Sequence, residues 1–371
     1  MKYGGIPLYL RESNIPIFLR EKIRGSDEDL AQIAQRALLS THIKSGEKVL
    51  MVADTVASKK FLDLFMAVAN SMGIPVQLIV MPYNPQAYNI YDYYAYTPPK
   101  TVINAMMSAD VIYAMTTGIL MSWFSYHYYP KILENSRVLF LSANEEALLR
   151  RAGPLVEVEK ITRKGKLLQK LISQADTIRV TSPNGTNVTI NGIRHSADIA
   201  DDGEVFKAGE EDHLAGSNYY VATEKGSYNG VIVIDDYEFK LLGVIEEPVK
   251  LTVKNDKIVK VEGGAQADLL ARYIRDLNDP NFPYLVHIGF GGHPYENRGE
   301  PMDGAVIWAI GRQQYFFETH EHLYPVDVNR FPAEKGMVAK NHFNPTSFGC
   351  TVWLDDQLLL KDQKWVPNEL R

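Results

Sequence analysis

The 371-residue sequence predicts an α/β fold of two parts: a Rossmann-like parallel-sheet N-terminal domain over residues 1–160, and an α+β C-terminal domain over 161–371 in which a metal site is expected. Three features predict it. Up to about residue 155, short continuous apolar runs alternate with segments of helical spacing, the pattern of strands covered by helices on both faces. After about residue 176, β-rich runs joined by turn signals replace that alternation. Six of the nine histidines fall after residue 210, and neutral imidazole is the commonest metal ligand.

The N-terminal elements follow in order. Asp27 is placed to cap a helix through LAQIAQRALLSTHI. KVLMVAD (48–54) is a short β-rich run after a turn at Gly46. Residues 57–72 have apolar positions at helical spacing, with Gly73 as the stop. VQLIVM (76–81), a helix after Pro98-Pro99, DVIYAM (110–115), a helix near Tyr128 and VLFL (138–141) complete the half. The residues after the first strand are ADTVAS, so no GxGxxG fingerprint follows it, and the chain has no phosphate-binding P-loop. This half is expected to be scaffold and pocket wall, without a dinucleotide.

A charged helix over 156–176 connects to the second half. TIRVTS and NVTI flank Pro183-Asn184-Gly185, a turn signal. VIVID (231–235) follows, then VKLTV and KIVKVEGG joined by Asn255-Asp256. A helix fits ADLLARYIRDL; LVHIGFGG, AVIWAIG and a hairpin around Asp355-Asp356 finish the chain.

Composition narrows the class. A formal net charge of -6 points away from nucleic acid and anionic membranes. No stretch approaches the roughly 18 apolar residues of a membrane span. Cys350, the single cysteine, rules out an intrachain disulfide and is expected to be inert packing. Together with an N-terminus lacking an apolar leader, these features read as a soluble cytoplasmic protein. The 21 tyrosines, many between Tyr83 and Tyr96 and between Tyr126 and Tyr129, suit ligand pockets or subunit contacts.

The candidate chemistry lies among the histidines. His342 and Asn344 are two apart, so on one strand both face the same way. His287 ends the apolar run PYLVHI before GFGG, where a strand end reaches a pocket; a hydrogen-bonded core histidine is the bland alternative. His320-Glu321-His322 is a possible two-ligand unit or a polar loop. His293, in GGHPYENRGEP, reads as a turn histidine, exposed in the bland case. His213 sits among acidic residues that favour its charged form, as a proton carrier or a surface ion pair.

Six segments carry a resemblance: IKSGEKVLMVADT (43–55), SADVIYAM (108–115), IRVTSPNGTNVTI (178–190), GSYNGVIVID (226–235), LVHIGFGGHP (285–294) and NHFNPTSFGCTVWLDD (341–356). Together, and in this order, they resemble the family of 2,5-dihydroxypyridine 5,6-dioxygenase and its relatives, the M29-type thermophilic aminopeptidases. The resemblance implies an Fe(II)-dependent oxygenase that cleaves an aromatic or N-heteroaromatic ring, with a small-molecule substrate and O2 as partners, assembled as a homo-oligomer. It places the family's iron ligands on His287, His342 and Asn344, and a catalytic histidine on His213. Ser125 and His127 fall in a segment that lines the family's pocket. The family's third ligand is aspartate where this chain has Asn344, so one negative charge is missing. Three outcomes stay open: Asn344 still binds weakly, Glu318, Glu321, His320 or His322 substitutes, or the iron site is gone. The alternatives are therefore an M29-type metallo-aminopeptidase, or a diverged member with an altered metal site and a different reaction.

Overall fold

The computed structural model describes residues 27–83, 98–116, 128–153, 156–193, 198–200, 203–214, 218–238, 241–296, 298–311 and 339–371. It is a mixed α/β structure with one parallel sheet and larger antiparallel sheets. Its described residues fall into two compact units. The first takes those up to Lys160 together with those of Asp201–Gly216; the second takes those of Ile161–Ala200 and Ser217–Arg371. The chain therefore returns to the first unit after entering the second.

In the first unit, α1 (Asp27–Ser40) has three acidic residues in its first turn, which suits the partial positive charge of a helix start. Asp27 is its first residue, not a residue ahead of it. β1 (Val49–Asp54) leads to α2 (Lys59–Ser71), where the Ser58 hydroxyl accepts the Phe61 amide at 3.1 Å. β2 (Val76–Met81), α3 (Lys100–Met107), β3 (Val111–Met115), α4 (Tyr129–Leu133), β4 (Arg137–Phe140) and α5 (Glu145–Ala152) follow. The sheet β2-β1-β3-β4 is parallel throughout. β1, β3 and β4 are fully buried, as their continuous apolar runs require. β2 departs from that expectation: it is the edge, and Leu78 and Val80 stay exposed.

Arg137 ties this unit together. Its guanidinium grips both carboxylate oxygens of Glu47, at 2.9 and 2.6 Å. It also donates to the backbone carbonyls of Thr41 and His42 just past α1. A buried arginine is tolerated because this fork satisfies its donors.

The second unit begins largely with α6 (Val158–Ile172). β5 (Thr177–Thr181), β6 (Asn187–Asn191) and β7 (Asp198–Ala200) precede the return to the first unit, where β8 (Glu211–His213) pairs in parallel with β4. The chain continues with β9 (Asn218–Ala222), β10 (Tyr228–Ile234), the small hairpin β11 (Tyr237–Glu238) and β12 (Gly243–Val244), β13 (Val249–Lys254), β14 (Lys257–Glu262) and α7 (Ala265–Leu277). β15 (Leu285–Gly291), β16 (Val306–Gly311), β17 (His342–Phe343), β18 (Thr346–Ser347), β19 (Thr351–Leu354), β20 (Gln357–Lys361) and β21 (Lys364–Trp365) end it.

One antiparallel sheet runs β14-β13-β10-β6-β5-β19-β20-β21; another runs β17-β16-β15-β9-β7, with β18 also on β16. Side chains of both share one core, including Ile190, Ile232 and Leu251 from the first and Val221, Ile288 and Trp308 from the second. The expected hairpins form at the Asn255-Asp256 and Asp355-Asp356 turns. Asn255 and Asp256 both have positive φ, as tight hairpin turns demand. Cys350 is buried, and burial pushes its thiol pKa up. No described helix is long and apolar enough to cross a membrane.

Arg137→Met should cost about 3 kcal/mol of stability, because Glu47 and two carbonyls lose a buried partner. Urea unfolding of parent and variant checks this; a loss within the roughly 1 kcal/mol of a surface ion pair would contradict the role assigned to the fork.

Candidate metal centre

The candidate centre is built on β16. In an antiparallel pair, residues opposite each other project to the same side. His287 of β15 lies opposite Ala309, and His342 of β17 lies opposite Gly311. Ala309 and Gly311 are two apart, hence on one face of the middle strand. Trp308 and Ile310 alternate to the other face and enter the core. Ala309 leaves room on its own face, and the two imidazoles approach each other with ring centroids 5.3 Å apart.

Each imidazole is held by its neighbours. His287 is 6% exposed. The Tyr220 ring meets it edge-on at 5.1 Å. Next to His342, Phe343 stacks on Tyr273 of α7 at 5.1 Å and meets Phe282 edge-on. On its other side, the Asn341 amide donates to the Tyr273 hydroxyl at 2.7 Å. Asn341 Oδ1 accepts the His342 amide at 2.8 Å.

Asn344 lies just beyond β17. Its Nδ2 donates to Glu300 Oε2 at 3.1 Å. Its Oδ1 is buried and accepts no hydrogen bond. The Tyr220 hydroxyl donates to the same Glu300 oxygen at 3.3 Å. Asp236 fastens both segments: one carboxylate oxygen accepts from the Gly299 amide and from the Thr346 hydroxyl, each at 2.9 Å.

The glycines of GFGG serve this packing and not a phosphate. A Cβ on Gly291 would stand 2.2 Å from the Met302 carbonyl oxygen and 2.3 Å from that of Glu300. A Cβ on Gly289 would stand 2.8 Å from the Tyr220 ring. Their missing side chains let the Glu300 loop and the tyrosine close on β15.

The groups here that could hold a divalent metal ion are the two imidazoles, with the buried Asn344 amide oxygen, two residues past His342, as a candidate third donor. This set is one negative charge poorer than two histidines and a carboxylate. Among the described residues, no group of three or more His, Cys, Asp or Glu forms a ready metal cluster.

The sequence readings fare differently. His287 and His342 meet ring to ring, and Asn344 lies two residues past His342, held on Glu300. Glu300 was not singled out; it lay in a stretch read only as a turn, and its one signal was a lone carboxylate among glycines. His293 is fully buried, not an exposed loop residue, and its Nδ1 accepts the Tyr295 amide at 3.2 Å. Ser125, His127, Glu318, His320, Glu321 and His322 lie outside the described residues.

His213 belongs to the first unit, at the carboxyl end of β8. Carboxyl ends of parallel strands are where α/β sheets place ligands. The expectation that acidic neighbours favour its charged form is reversed. Asp212 alternates to the other face and accepts the Gly203 amide at 3.1 Å. Glu211 is engaged by the Tyr129 hydroxyl. The imidazole stacks on Phe140 at 5.1 Å. Burial, with Arg151 adding to it, pushes its pKa down to about 4. His213 is therefore neutral at pH 7, able to accept a proton and not one half of an ion pair.

Comparison with known proteins accords with this architecture. A family model described as 2,5-dihydroxypyridine 5,6-dioxygenase matches residues 29–300. A curated protein of Pseudomonas putida, 2,5-dihydroxypyridine 5,6-dioxygenase, is 20% identical over 362 residues, covering 93% of this chain and 99% of that one. A solved structure of 2,5-dihydroxypyridine dioxygenase from Pseudomonas putida KT2440 is similar with a TM-score of 0.74 at 20% identity, over 94% of this chain and 100% of that one. Wild-type AmpT from Thermus thermophilus is similar with a TM-score of 0.62 at 13% identity, over 91% and 99%.

Two outcomes are expected here. Gly291→Ala should cost about 3 kcal/mol, through backbone that cannot move aside; an unfolding midpoint equal to the parent's would show that the Glu300 loop yields. For His213, the folded pKa of about 4 lies below its ordinary 6.5. The unfolded chain then binds the proton first, so stability is complete above about pH 6.5 and declines as pH falls toward 4. Between pH 7 and 5 the parent should lose about 2 kcal/mol more than His213→Gln. Parallel urea titrations at the two pH values check it, and equal losses would refute the depressed pKa.

Proposed function

The chain belongs to the 2,5-dihydroxypyridine 5,6-dioxygenase family, and on that premise we propose that it is an Fe(II)-dependent oxygenase acting on an aromatic or N-heteroaromatic ring of the dihydroxypyridine kind, by extradiol-type cleavage. Its partners in this reading are a small-molecule substrate and O2. The observation that carries it is the meeting of His287 and His342 above β16, with the uncommitted Asn344 oxygen two residues past His342. These three residues would hold the metal. When bound, Fe(II) supplies polarisation of substrate oxygens and a route for O2 activation.

The chain's own groups do the rest. The Tyr220 ring packs edge-on against His287 and provides an apolar wall of the kind that receives a flat ring. The tyrosine hydroxyl is anchored on Glu300, which limits how far that wall can turn. His213 is the catalytic histidine of this proposal, as the family resemblance implies; held neutral at pH 7, its ring can accept a hydrogen bond without carrying a charge. The M29-type aminopeptidase alternative is not favoured, because the family model that matches is the dioxygenase one.

Anaerobic purification should return about one iron per chain, and none in His287→Ala or His342→Ala, if both imidazoles are ligands. His213→Ala should keep its iron and lose turnover by roughly 100-fold or more, read as O2 uptake with dihydroxypyridines. A parent chain that takes up no metal after Fe(II) is added back would sink the reading.

A further inference from the structure

We infer that Glu300 and Asn344 form a charge-exchanged pair, in which the carboxylate of the pair is carried at 300 and position 344 is neutral because of it. For its metal arm the inference rests on the oxygenase reading above; the pair itself does not.

The pair is defined by hydrogen-bond chemistry. Ionised carboxylate oxygens only accept, so the amide of Asn344 must present its NH2 to Glu300, as it does at 3.1 Å. An amide offers its nitrogen and oxygen on opposite sides. Committing the nitrogen therefore turns the carbonyl oxygen away from the carboxylate, and that buried oxygen accepts nothing. Glu300 thereby fixes which atom Asn344 leaves available. The Tyr220 hydroxyl, at 3.3 Å from the same oxygen, steadies the carboxylate from the other strand.

An aspartate at 344 would be incompatible with this arrangement. It would set two carboxylates about 3 Å apart and partly desolvated, a placement that like charges oppose. Removing the charge from Glu300 has the opposite fault. The amide loses its charged acceptor, and the pair keeps no carboxylate. Exchanging both residues should restore one charge and one amide, with the partners reversed. Outer partners of this kind orient ligands and tune metal affinity. The Glu300 loop is built to hold its place, by Gly291 beneath it and by Asp236 through the Gly299 amide.

The test uses four full-length chains: parent, Glu300→Gln, Asn344→Asp and the double exchange. Two quantities are read on each, the urea midpoint after chelation and the anaerobic affinity for Co(II), followed by its visible absorption. Asn344→Asp alone should lower the midpoint, and adding Glu300→Gln should recover it. Glu300→Gln alone should weaken Co(II) binding roughly 10- to 100-fold, and the double exchange should regain most of that loss. Additive effects in both measurements would overturn the pair. Coupled midpoints in a parent that binds no metal would uphold the pair and sink the iron reading. Tight Co(II) binding with additive midpoints and affinities would leave the iron reading standing and sink the pair.

Discussion

The loop that carries Glu300 lies so close to β15 that only glycine fits beneath it. With backbone carbonyl oxygens at 2.2 and 2.3 Å from where a Cβ would stand, Gly291 sets the depth at which that loop rests. Depth decides the rest of the centre. It lets one carboxylate oxygen reach both the Asn344 amide and the Tyr220 hydroxyl. Gly289 makes the same concession to the Tyr220 ring, which in turn meets His287. A row of missing side chains therefore allows a row of functional ones.

β16 is the floor of the centre and part of the core at once. Strand alternation separates the two duties. Trp308 and Ile310 enter the core shared by the antiparallel sheets, and the Trp308 indole is fixed on Ser347 at 2.7 Å. Ala309 occupies the other face, where imidazoles from the strands on either side approach each other. The aromatic packing of Phe343 with Tyr273 and Phe282 then locks the short strand that presents His342. Rigid support of this kind keeps a site in working geometry.

Electrostatics in the two units run in opposite directions. Around Asn344, a carboxylate meets donors and stays a useful charge. Around His213, desolvation and a nearby arginine keep the imidazole uncharged. Local sequence misleads at both places. Two acidic residues precede His213, yet one points to the opposite face and the other is taken by Tyr129. The residue that matters for its proton affinity, Arg151, is distant in the chain.

Much of the fold was legible without coordinates. Periodicity and turn residues are short-range signals, and they identified the buried runs of β1, β3 and β4, the helices between them, and hairpins such as Asn255-Asp256. Spacing made His342 and Asn344 a pair that can face one way and left His287 open between pocket and core; the family resemblance put the metal ligands on all three. Periodicity overstated the cover on β2, since an edge position is a property of the sheet and not of VQLIVM. What the sequence by itself determined was the set of elements and a list of candidate side chains. Only tertiary structure decided which of them meet. The pairing of β15 and β17 on one middle strand brings the two histidines together, and Glu300 reaches Asn344 across 44 positions of chain. The physical reason is that register and loop depth arise from strands packing on one another, and no local pattern encodes the distance between residues that touch only after folding.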